Sequence, residues 1–219
     1  MATIDQSSDI EVSEEVIEKV SSPETLSIWG LAWPSIIANI LFAAVGIVGL
    51  KAVGALGTEA LAAVGTGQRI FFVIQSLIMA VSTGTTALIA RAYGSGKKNE
   101  AAQVLFDSLW IGVILGLCTT FIVWIYGEDI IGLFGLNEQS KNLAIDYLKY
   151  SMLFSAMFSA SFIFGAALRA AGDAKTPLVI MIFQNIINVF LLIGLVNGSF
   201  GLPNLGVLGA ALAWGISFT

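Results

Sequence analysis

Long uncharged apolar runs, separated by short clusters that carry all the charge, set the pattern of this chain. Five runs stand out: Ile28 to Leu50, Ile70 to Ala90, Ser108 to Gly127, Tyr150 to Leu168 and Thr176 to Gly198. A sixth opens after Gly201-Leu202-Pro203-Asn204 and continues from Leu205 to Thr219. At about 1.5 Å per residue, each of the five is long enough to cross a hydrocarbon core of about 30 Å as a helix. The runs are apolar on all sides, and the spacing of the breaks exceeds the ~10 residues of a barrel strand. The pattern predicts an all-α membrane protein, a bundle of six transmembrane helices with the sixth cut short.

The breaks are chemically explicit. Ser22-Pro23-Glu24-Thr25 offers the first helix a capping Ser, a Pro at its first position and an early acid. Between the fourth and fifth runs, Arg169-Ala170-Ala171-Gly172-Asp173-Ala174-Lys175-Thr176-Pro177 packs three charges, a Gly and a Pro into one turn. Gly172 is expected at the helix C-terminus, where a left-handed residue is needed, and Pro177 in the first turn of the next helix. Arg169 and Asp173, four residues apart, can pair where the helix meets water, an arrangement worth only a few tenths of a kcal/mol. Pro34, inside the first run, removes a backbone bond and predicts a kink or an irregular first turn.

Composition sharpens this reading. The chain is 57% hydrophobic and 11% charged, with a mean hydropathy of +0.88, beyond the range of soluble domains. Residues 1–21 form an acidic, polar segment expected to be a cytoplasmic tail. Residues 1–25 hold seven acids and one base, which leaves the rest of the chain at +1 and gives no basic face for nucleic acid. Acids before the first run, and a run of 23 residues, speak against a secretory signal. Arg91, Lys97 and Lys98 lie in one connection and Arg169 and Lys175 in another on the same side. That bias predicts a multi-pass protein of the cell membrane with its N-terminus in the cytoplasm.

Candidate chemistry is confined to uncharged polar groups. His is absent and no acid interrupts the five runs, so a metal centre, a proton relay and a hydrolase constellation all lack their usual residues. The chain is read as a non-enzyme without a cofactor. The lone cysteine, Cys118, reads as a small apolar residue. Gln184, Asn185 and Asn188 cluster in the fifth run, with Asn185 and Asn188 on one helix face. They either hydrogen-bond between helices or line a substrate path. Ser82, Thr83, Gly84, Thr85 and Thr86 present the same choice between packing and wetting a cavity. Lys51 either snorkels to the interface or places a fixed positive charge on the path, and Asp107 is similarly poised.

Leu31-Ala32-Trp33-Pro34, Leu56 to Gly65, Ser82 to Arg91, the Leu168 to Pro177 turn and Gly206 to Ala211 occur in an order and spacing that resemble the multidrug and toxic compound extrusion (MATE) family. The resemblance spans about Leu31 to Trp214. It implies that residues 22–219 form the N-terminal lobe of a twelve-helix antiporter whose second, C-terminal lobe is missing from these 219 residues. It further implies export of small organic cations in exchange for H⁺ or Na⁺ by alternating access, within a lipid bilayer. The family's pattern usually has an acid in the first helix where Gly49 stands here, and often a second Asn or Asp where Leu192 stands. The resemblance therefore carries Asn188, and less directly Asn185, into the substrate path, and places the coupling site outside this lobe. Two alternatives remain: a flippase for lipid-linked saccharides or other anionic lipids, toward which Lys51 leans, and an inactive transporter fragment.

Overall fold

The computed structural model describes residues 28–218, and the acidic tail and the Ser22-Pro23 cap lie outside them. Seven helices follow one another: α1 (Ile28–Gly54), α2 (Thr58–Gly94), α3 (Lys98–Gly132), α4 (Glu138–Leu153), α5 (Ser155–Ala170), α6 (Lys175–Asn197) and α7 (Gly206–Ser217). No strand occurs among the described residues. Four helices, α1, α2, α3 and α6, are each long and apolar enough to span a membrane. The α1 helix is continuous through Pro34, which is fully buried.

Two expectations about span boundaries need correction. The second and third helices are far longer than their uncharged runs, at 37 and 35 residues. At about 1.5 Å per residue each exceeds 50 Å, so charged ends such as Glu59 and Arg91 in α2 are helical and extend beyond a hydrocarbon core of ~30 Å, and Arg69 lies inside the helix rather than at its end. The fourth run is not one helix. It breaks at Phe154, and α4 and α5 meet there at 52°.

Neither Pro nor Gly sits at that break; α3 holds it from outside. Thr120 Oγ1 donates to the carbonyl of Met152 at 2.6 Å, occupying an acceptor at the interrupted ladder. Ser155 Oγ donates to the carbonyl of Gly116 at 2.7 Å, and Ser159 Oγ donates to that of Gly112, also at 2.7 Å. Backbones approach this closely because Gly116 has no side chain: a Cβ there would lie 2.5 Å from Ala156 Cα. Small residues and interhelical hydroxyl bonds are the usual adhesive between membrane helices, where lipid supplies no hydrophobic drive.

The α5–α6 turn behaves as its residues predict in two respects and differs in a third. Gly172 adopts φ +92°, and the amides of Gly172 and Asp173 donate to the carbonyls of Arg169 and Leu168, closing α5 with a Schellman pattern. Pro177 lies in the first turn of α6. The Arg169–Asp173 ion pair does not form. Asp173 Oδ1 instead accepts from the amides of Lys175 and Thr176 at 3.1 and 3.0 Å, a better use of a carboxylate because those amides are orphan donors at a helix start. The Thr176 hydroxyl first, and then the Thr176 and Lys175 amides, hold the Asp173 carboxyl below the usual carboxylate range.

Packing divides the helices into two groups. α2 packs on α3, α4 and α5, and α3 packs on α5; separately, α1 packs on α6 and α6 on α7. Contact between α1 and α2 is slight, as it is between α5 and α6, and α4 against α7 is the main bridge between the groups. One apolar core, containing Val53, Val64, Tyr147, Leu192, Val196 and Ala211, joins the groups at that bridge. A second, around Val123, Ile131, Leu148 and Met152, lies within the α2–α4 group. The seam between the groups remains open.

Candidate functional site

A cavity of about 390 Å³ occupies the seam. α1, α2, α4, α5, α6 and α7 all contribute to its wall, and α3 does not. Among the described residues, no charged side chain lines it. The wall is mainly apolar, with an aromatic group at one side and amides at others, as small-molecule sites usually are.

Trp214 is the centre of the aromatic group. Its ring centroid lies 4.5 Å from Phe71, 5.0 Å from Phe158 and 5.2 Å from Phe218, with the Phe71 ring nearly perpendicular at 77°. Edge-to-face and offset arrangements of this kind place the positive ring edge against a neighbouring π face. The break at Phe154 contributes directly: because α5 leaves α4 at an angle, Ser151 from α4 and Phe158 from α5 reach one cavity.

The polar residues singled out in the sequence separate into different environments. Asn185 and Asn188, both buried on α6, line the cavity as their shared helix face requires. Asn188 is engaged: its Nδ2 donates to the carbonyl of Ala213 at 3.1 Å and ties α6 to α7. Asn185 is not, since neither Nδ2 nor Oδ1 has a hydrogen-bond partner among the described residues. Gln184 turns away from the cavity, and its Nε2 lies 3.5 Å from Ser161 Oγ on α5. Lys51 is exposed in the last turn of α1 and is not part of the cavity wall. Asp107 is exposed as well.

The Ser82 to Thr86 stretch does not line the cavity; Ser82 and Thr85 are buried, and Thr83 and Gly84 are exposed. Thr83, Thr85 and Thr86 donate to the carbonyls of Met79, Val81 and Ser82 on their own helix at 2.8 to 2.9 Å. Gly49 and Leu192 meet across the cavity wall: a Cβ on Gly49 would lie 3.9 Å from Leu192 Cδ2. The two positions at which the sequence departs from the MATE pattern are thus neighbours, and their contact is apolar.

Sequence reasoning missed Gln68 and Gln75 of α2, Tyr147 and Ser151 of α4, and the aromatic group, all of which line the cavity. Gln75 carried a signal, because it is a carboxamide inside an uncharged run. Phe71, Phe158 and Trp214 carried none, since an aromatic in an apolar run reads the same whether it faces lipid, core or cavity. No group of three or more metal-ligating side chains occurs among the described residues.

Comparison with known proteins matches residues 34–193 to the family model MatE. The chain is 32% identical over 184 residues to a probable multidrug resistance protein NorM of Thermotoga maritima, covering 84% of this chain and 39% of that relative. It is 33% identical over 218 residues to a probable multidrug resistance protein YoeA of Bacillus subtilis, covering 95% and 46%. Among solved structures, the fold superposes on a multidrug resistance MATE family transporter in its outward-facing conformation with a TM-score of 0.80 and 26% identity, covering 86% of this chain and 41% of that one. The chain therefore spans less than half the length of the relatives it matches.

Proposed function

This chain belongs to the MatE family, and we propose that it is the N-terminal lobe of a multidrug efflux antiporter of the cell membrane, with its N-terminus in the cytoplasm. In this reading a second lobe completes the substrate path, and the two rock about the seam to expose it alternately to either side. Amphipathic organic cations are exported in exchange for H⁺ or Na⁺. The observation that carries the reading is the open, uncharged cavity between two helix groups that barely touch along α1–α2 and α5–α6. Apolar walls with a few amides suit permissive recognition of varied drugs.

Coupling is assigned to the second lobe. Among the described residues the cavity wall holds no carboxylate, and the Gly49–Leu192 contact is apolar, so the wall offers no acid to a coupling proton or to Na⁺. The placement of Lys51 outside the wall removes the feature that leaned toward an anionic lipid cargo. Ethidium accumulation in efflux-deficient cells tests the proposal. Cells expressing this lobe joined to a C-terminal lobe are expected to retain less dye than empty-vector cells, and cells expressing residues 1–219 alone are expected to retain as much. Equal accumulation in all three would refute it.

A further inference from the structure

A second concavity, a groove of about 210 Å³, lies where α2 ends, α3 begins and α5 ends. It shares no residue with the central cavity, and α3, which is absent from that cavity's wall, supplies one side of it. Its lining is graded along the helices. Tyr93 and Lys98 stand at the end nearest the α2–α3 connection, and Ile89, Ala102, Leu105 and Phe164 continue it as an apolar trough. At about 1.5 Å per residue, the stretch of α3 from Lys98 to Leu105 covers about 10 Å. Tyr93 and Phe164 are 45% and 44% exposed, so the groove is reached from outside the bundle.

Charge decides what fits. The two ion pairs among the described residues are Lys97–Glu100 and Lys149–Glu128, so the acid nearest Lys98 in the chain is taken by its neighbour and Lys98 keeps an unopposed charge. α3 also starts with no side-chain cap, which leaves the positive end of its dipole at the same place. A soluble anion would use Lys98 and leave the trough empty, and a lipid without net charge would fill the trough and leave Lys98 unpaired. A molecule with a negative head and a hydrocarbon tail uses both, and basic pockets between helix ends are where such lipids are held. We propose that this groove binds an anionic phospholipid of the cytoplasmic leaflet, with its phosphate on Lys98 and Tyr93 and one acyl chain along α3 and α5. The proposal depends on the chain's crossing the membrane and on no part of the drug path.

Photoactivatable lipids read the site directly. Phosphatidylglycerol and phosphatidylcholine with the same diazirine acyl chain are added as traces to phosphatidylcholine nanodiscs holding this lobe joined to a C-terminal lobe. Crosslinked peptides are mapped by mass spectrometry. In wild type, crosslinks to the segments holding Leu105 and Phe164 are expected to be about fivefold more abundant from the anionic lipid, the factor that about 1 kcal/mol per interfacial lysine supplies. Lys98→Gln should bring that ratio to about one. Lys141→Gln, at the start of α4 and so at the opposite end of the bundle, should leave it unchanged. Ala102→Phe fills the trough and should remove most of these crosslinks with Lys98 still in place. Lys98 and Ala102 are exposed, so both variants keep the core. Glycerol phosphate, the head without chains, should not compete. The proposal is overturned if wild type shows no preference, if the preference survives Lys98→Gln, if Ala102→Phe leaves the crosslinks intact, if glycerol phosphate displaces the lipid, or if neither lipid reaches the groove because protein covers it. Nanodiscs carry the probes in both leaflets and no transport is measured, so failure here is distinct from failure of the topology or of efflux.

Discussion

Replacing Gly116 with Ala is the most demanding test of how the cavity is held open. The added Cβ would sit 2.5 Å from Ala156 Cα and 2.7 Å from Ala156 N, and both are backbone atoms that cannot rotate away. Carbon atoms pack at about 3.5–4.0 Å, so α3 and α5 must separate by roughly 1 Å. Overpacking of this kind costs about 1–3 kcal/mol. The same movement stretches the Ser155 and Ser159 bonds to the carbonyls of Gly116 and Gly112, at about 0.6 kcal/mol for each interhelical bond. The expected loss is therefore about 2–4 kcal/mol, measured by reversible unfolding in mixed micelles. Gly84→Ala is the control, because a Cβ at Gly84 meets nothing within 4 Å. It should leave stability unchanged or raise it by up to about 1 kcal/mol through reduced chain entropy. A Gly116→Ala protein within about 0.5 kcal/mol of wild type, the range of an ordinary surface substitution, would refute the account of the α3–α5 contact.

Other expectations follow from single sites. Single cysteines at Ser95 and Gln139 in a Cys118→Ser background should react with membrane-impermeant maleimide from opposite faces, Ser95 from the cytoplasm; labelling of both from one side contradicts the topology. The Asp173 carboxyl is held below its ordinary range by the Thr176 hydroxyl and by the amides it caps, so its contribution is complete above the ordinary carboxylate range and is lost as pH falls through the depressed value. Amide-exchange protection at Thr176, corrected for the intrinsic rate, should decline across that window in wild type and not in Asp173→Asn. Asn188→Leu should cost about 0.6 kcal/mol through the lost bond to Ala213 and also lower transport per folded molecule, whereas unchanged turnover would make Asn188 a structural tie only. Gly49→Asp has room beside Leu192, so the carboxylate it adds to the cavity wall should give efflux measured across pH a pH-dependent component; an unchanged profile would leave this lobe without any part in coupling.

The number of apolar segments, the all-helical class and the α5–α6 turn were legible in the chain itself. Each depends on local chemistry: a bilayer admits few polar residues in a span, and Gly172 meets a left-handed requirement that other residues resist. Asn185 and Asn188 were legible for the same reason, because a carboxamide in an apolar run stands out and two positions three apart share a helix face. What distinguishes them was not, since only the position of Ala213 on α7 decides that Asn188 is bonded while Asn185 has nothing to bond. The break at Phe154 left no mark in its own segment because its cause lies in α3, where Thr120 takes the Met152 carbonyl and Gly116 admits the backbone of Ala156. The cavity likewise belongs to tertiary structure alone. It exists because α1 packs on α6 rather than on α2, and the choice of partner among uniformly apolar helices is made by shape and small residues rather than by hydrophobic pattern.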